Sequence, residues 1–141
     1  MPATINGPTT VLSNGSGGFQ IGSGNNAEVI LGYCAAPPTA TDTATLTAAQ
    51  VTGEMLVCTP TANAVYTLPT AASIDTAVPS ARAGSTFDFS IVNTAAFTTN
   101  LALGTGITNG GGALTANAAS TSATYRFRKT GDAAYTVYKI A

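Results

Sequence analysis

Chemistry in this chain has few residues to start from. Its acids are Glu28, Asp42, Glu54, Asp75, Asp88 and Asp132, and no two of them lie within three residues of each other, so neither a paired carboxylate nor a calcium-loop spacing is written in the sequence. Two of the six can meet only through the fold, as the acids of a glycosidase do. There is no His, which removes the imidazole base, the Ser–His and Cys–His nucleophile pairs and every His-ligated metal. Cys34 and Cys58 both sit among apolar residues, as in Gly32-Tyr33-Cys34-Ala35 and Leu56-Val57-Cys58. They are read either as two buried thiols acting as small hydrophobes or as a disulfide; a two-Cys metal site has no further ligand to complete it. The run Gly15 to Gly24 has the glycine content of a phosphate cradle but lacks the Lys-Ser/Thr pair and the strand–helix setting, so it reads as a loop or arm. No catalytic residue, cofactor or small-molecule substrate is expected.

The charge count points the same way. Five Lys and Arg against six Asp and Glu give a formal net charge of −1, and charged residues make up 8% of the 141 residues, far below ordinary usage. So few cations cannot neutralise many phosphates, which argues against nucleic acid, and they cannot form a polybasic membrane anchor. The surface has to be built from Thr, Ser, Asn, Gly and Ala, a surface that suits close assembly and is insensitive to salt. The longest apolar stretch, Val29 to Pro38, is too short to span a bilayer, and the N-terminus has neither the basic start nor the apolar run of a signal peptide. The chain is therefore expected to be made in a cytoplasm.

Around these residues the pattern is β. Residues 1–26 form an arm rich in Thr, Asn, Ser and Gly, with Ile5, Val11, Leu12 and Phe19 as its scattered apolar anchors. Such an arm is ordered by a partner, by a neighbouring copy, or by a strand or two pinned onto the domain's own sheet. Residues 27–141 form the domain. Leu46 to Val51 predicts a helical turn closed by Gly53, and Thr70 caps a short helix from Ala71 to about Ala77, stopped before Pro79. Met55–Thr59, Val65–Leu68 and Leu101–Leu103 read as short strands, and the glycines at 104, 106 and 110–112 as tight turns needing positive φ. In Thr86–Val92 the residues Phe87, Phe89 and Ile91 alternate with Asp88 and Ser90, the pattern of an antiparallel strand with one covered face. Thr124–Lys129 and Tyr135–Ile140 flank a turn at Thr130-Gly131-Asp132 and predict a hairpin that puts Phe127 on one face and Arg126 and Arg128 on the other. The expected fold is all-β, a β-sandwich or jelly roll with an extended N-terminal arm, at most two short helices and no internal repeat.

The cluster Arg126, Arg128 and Lys129 is read either as a contact with a partner or as a solvated edge that discourages unwanted pairing. Phe87, Phe89, Ile91 and Phe127 are candidates for the β core or for the face through which copies associate. That leaves Tyr66, Tyr135 and Tyr138 as the exposed aromatics.

The succession Leu46-Thr-Ala-Ala-Gln-Val51, Val65-Tyr-Thr-Leu-Pro-Thr-Ala71, Gly84-Ser-Thr-Phe-Asp-Phe-Ser-Ile-Val-Asn93, Leu103-Gly-Thr-Gly-Ile107 and Tyr125-Arg-Phe-Arg-Lys-Thr-Gly131 with Tyr135-Thr-Val-Tyr138 resembles the capsid decoration, or cement, proteins of tailed bacteriophages over residues 46–140. The resemblance implies a jelly-roll-like domain, a homotrimer on the outer surface of the capsid, and a role in the virion as a structural protein that bridges copies of the major capsid protein. The alternative reading is a tail-fibre or receptor-binding module that recognises cell-surface glycan through exposed Tyr and Asn.

Overall fold

In the computed structural model the chain divides into two units, Met1–Tyr33 and Cys34–Ala141. Residues 36–114 and 117–141 are described in full, together with the backbone of two short strands in the first unit. Those strands, β1 (Val11–Ser13) and β2 (Phe19–Ile21), pair antiparallel with Val11 opposite Ile21. Ile5, Glu28, the run Val29–Leu31 and Cys34 lie outside the described residues, as do the side chains of Val11, Leu12 and Phe19.

The second unit is mainly β, with two short helices, and its strands coil. Each of the first two turns of the coil runs from a strand in one sheet to a strand in the other and then through a helix. The first comprises β3 (Thr39–Ala40), β4 (Ala44–Thr45) and α1 (Ala48–Thr52); the second, β5 (Met55–Cys58), β6 (Ala64–Thr67) and α2 (Ala71–Ala77). The third turn has β7 (Thr86–Asn93) and β8 (Thr99–Ala102), then passes directly into β9 (Ile107–Gly111). Successive turns stack in parallel, β3-β5-β7 in one sheet and β4-β6-β8 in the other. The hairpin β10 (Ser122–Gly131) and β11 (Ala134–Lys139) closes the first sheet, because β10 runs antiparallel beside β7 and β9 joins β11 at the far edge, giving the order β3-β5-β7-β10-β11-β9.

This arrangement corrects the expectation of antiparallel pairing. Five of the eight strand pairs among the described residues are parallel. It also reveals an internal repeat: Met55 pairs with Ser90 and Ala64 with Thr99, a spacing of 35 residues that continues through the corner, where Thr98 bonds Asn63. The corner after each strand of the smaller sheet reuses one phrase, Thr45-Leu46-Thr47-Ala48, Thr67-Leu68-Pro69-Thr70-Ala71 and Ala102-Leu103-Gly104-Thr105-Gly106.

Both expected helices form, the second behind its expected Thr70 cap and the first at Ala48–Thr52 behind Thr47, a cap not singled out from the sequence. Thr47 accepts from the Gln50 amide while the Gln50 side chain accepts from the Thr47 amide, a capping box, and Thr70 accepts from the Ser73 amide. The same offset from each cap buries Val51 and Ile74. These two side chains join Leu56, Cys58, Phe89, Ile91, Tyr125, Phe127, Tyr135 and Val137 from the six-stranded sheet, Tyr66 and Leu101 from the three-stranded sheet and Leu68 from the corner after β6 in one core. Phe127 is its centre, stacked on Phe87 at 4.9 Å and edge-on to Phe89 at 6.4 Å. Among the described residues no helix is long and apolar enough to cross a membrane.

The glycine expectations are corrected in part. Gly106, Gly111 and Gly112 have φ of 80°, 148° and 79°, the positive values predicted, but Gly110 does not, and Gly110 and Gly111 lie within strand β9 rather than in a turn. Gly104 is not at positive φ; it is needed because a Cβ there would overlap the carbonyl oxygens of Leu68 and Pro69, on which the third corner rests. Replacing Gly104 by Ala forces two backbone layers apart, and urea unfolding should show a loss of about 2 kcal/mol or more. Unchanged stability would contradict the stacked-corner account.

Candidate functional site

The face of the six-stranded sheet that points away from the core is a regular surface, and strand alternation fixes what it carries. Phe87, Phe89 and Ile91 of β7 and Ala123, Tyr125 and Phe127 of β10 turn inward, so Thr86, Asp88 and Ser90 and then Thr124, Arg126 and Arg128 point outward, beside Met55 on β5 and Thr136 and Tyr138 on β11. The cross-strand register then makes partners of neighbours. Asp88 stands opposite Arg126, whose Nε and Nη2 each donate to a different carboxylate oxygen at 2.8 Å. Arg126's hydrogen bonds hold the Asp88 carboxyl below its ordinary range. Hydroxyls pair in the same way, Ser90 with Thr124 and Thr108 with Thr136, each at 3.0 Å. Tyr138 lies across Gly110, where a Cβ would overlap its ring.

The result is a broad face of hydroxyls and short apolar groups whose one ion pair is neutralised internally. Beside it Glu54, Met55, Thr86, Phe87, Asp88, Ser90 and Arg126 line an open depression of about 550 Å³. Arg128 is exposed and has no ion-pair partner among the described residues. The edge reading of this basic pair is corrected, because β10 lies between β7 and β11 in the sheet interior. Phe89, Ile91 and Phe127 are buried in the chain's own core, with Phe87 packed against them, so their face is closed to another copy.

Lys129 leaves the basic cluster altogether. Continuing the alternation from Tyr125 and Phe127 turns it inward, where it is 7% exposed and its Nζ lies 2.6 Å from Asp75 Oδ1. The Tyr135 hydroxyl donates to the same oxygen at 2.7 Å, and the Ala133 amide donates to Oδ2 at 2.8 Å. One carboxylate on α2 thus pins both strands of the closing hairpin. These donors, Lys129 first, lower the Asp75 pKa to about 2. Burial is the first cause of the raised pKa of Tyr135, and the bond to Asp75 adds to it. Sequence reasoning missed this group, although the period-two pattern that placed Phe127 also places Lys129.

The aromatic expectations are corrected too. Tyr66 and Tyr135 are fully buried, and burial pushes Tyr66 up to about 12. Only Tyr138 of the three keeps a half-exposed ring, while Phe97, not singled out from the sequence, is exposed. Cys58 is a buried free thiol that donates to the Val92 carbonyl at 3.4 Å, and burial raises its pKa. No three His, Cys, Asp or Glu residues gather to hold a metal ion among the described residues.

Comparison of the chain with protein families, with curated proteins and with solved structures finds no match.

The Asp75 group carries a pH signature. Its carboxyl titrates near 2 in the folded chain and near 3.8 in the unfolded one, so its contribution is complete above about pH 4 and is lost as the pH falls toward 2. Urea midpoints measured from pH 7 to pH 2 should drop across that window. Asp75→Asn should lower the midpoint at pH 7 and flatten the drop; a variant with the wild-type pH profile would remove Asp75 from this role.

Proposed function

We propose that the chain is a structural protein of the virion, a decoration protein that binds the outer surface of a phage capsid as a trimer and bridges copies of the major capsid protein. One observation carries this reading: the outward face of the six-stranded sheet is furnished with paired hydroxyls and carries few charges, the internally neutralised Asp88–Arg126 pair, Arg128 and, at the depression, Glu54. A face of this kind makes many weak contacts without desolvating unpaired charge, and trimer valency multiplies them into tight attachment. The low charge of the whole chain and the sequence resemblance support the same role. The jelly-roll-like description belongs with this proposal and rests on the resemblance; the antiparallel set β7, β10 and β11 is the part of the fold compatible with it.

Co-sedimentation of the full-length chain with purified capsid shells tests the proposal. The bound fraction should change by less than about threefold between low and high salt, because few opposite charges meet across such an interface. Failure to bind, or a loss of tenfold or more on raising the salt, would contradict it.

A further inference from the structure

We infer that Phe97 is a rigid aromatic anchor that seats in an apolar pocket of the protein partner, an inference that rests on the decoration reading. Phe97 is 41% exposed, in the corner that carries the third turn of the coil from β7 to β8. The corner is clamped on both sides of the ring. Asn93, itself buried, donates its amide to the carbonyls of Phe97 at 2.6 Å and Ala118 at 3.1 Å and accepts from the Ala95 amide at 3.1 Å. On the other side the Thr98 amide and hydroxyl both donate to Asn63 Oδ1, at 3.1 and 3.0 Å, and the Thr98 carbonyl accepts from the Ala64 amide. The backbone that presents the ring is therefore fixed before any partner arrives, which lowers the ordering cost of binding.

The repeat shows that the corner does not need an aromatic. Cys58 pairs with Asn93 and Ala64 with Thr99, so the corners 59–63 and 94–98 have equal length, and Ala62 stands in the second turn where Phe97 stands in the third. The same fold problem is solved there with a methyl group. The third turn thus carries a large, 41% exposed apolar side chain where the second turn does without one, and the stretch from Thr94 to Thr99 carries no charge. That chemistry fits an uncharged apolar pocket on a protein surface, the setting in which aromatic residues dominate interface energy.

Phe97→Ala, which copies the second turn, should melt within about 2 °C of the wild type yet bind capsid shells roughly 30-fold more weakly, and Phe97→Leu should fall between the two. Equal binding by wild type and Phe97→Ala overturns the anchor and leaves the decoration reading standing. A wild-type chain that does not bind the shells overturns both. A melting temperature lowered by more than about 5 °C in Phe97→Ala assigns the ring to the fold and overturns the anchor, as does a Leu variant no better than Ala.

Discussion

The structure depends on the parallel register between successive turns of the coil. Leu56 beside Ile91 and Tyr66 beside Leu101 place two apolar ladders facing each other, one in each sheet, and the core is what lies between them. A one-residue slip in either ladder would turn its inward side chains to solvent, so the pairing is strongly specified. β7 is the strand on which this turns, since it takes β5 in parallel on one side and β10 antiparallel on the other. Asp75 then ties the hairpin to α2, and Asn117 closes the far edge of the smaller sheet by pairing with Thr99 and donating to the Ile91 carbonyl.

The same economy of charge shapes the surface. Of five basic residues, Lys129 is neutralised inside and Arg126 on the sheet face, each by a carboxylate the fold brings to it. The exposed pair stabilises little by itself, since both side chains remain substantially solvated. In the proposed decoration role, the affinity of such a face comes from area and shape. In the proposed role, the ring exposed in the corner between β7 and β8 supplies the specificity that a neutral face lacks.

Much of the local structure was legible. The run from Leu46 to Gly53 and the Thr70 cap announced the helices, the alternation of Phe87, Phe89 and Ile91 gave β7, and the run from Tyr125 to Tyr138 gave the hairpin, because caps and period-two patterns are local signals. The coil was not legible, because its turns differ in length and the repeated phrase consists of Thr, Leu, Ala and Gly, residues abundant throughout the chain. Parallel pairing is also set by partners distant in sequence, which no local pattern records. The Tyr assignments failed for a related reason: Tyr66 and Tyr135 face inward only because of which sheet covers them. Glu54 breaks a local rule, at a φ of 72° just past Gly53, and no helix-stop pattern points to it.

Imaging intact particles that carry this chain tests the central claim most directly. The account predicts threefold-related density on the outer face of the shell at threefold and quasi-threefold positions, with the corner that bears Phe97 against the major capsid protein. Density for the chain at the tail tip, or none on the shell, would contradict it.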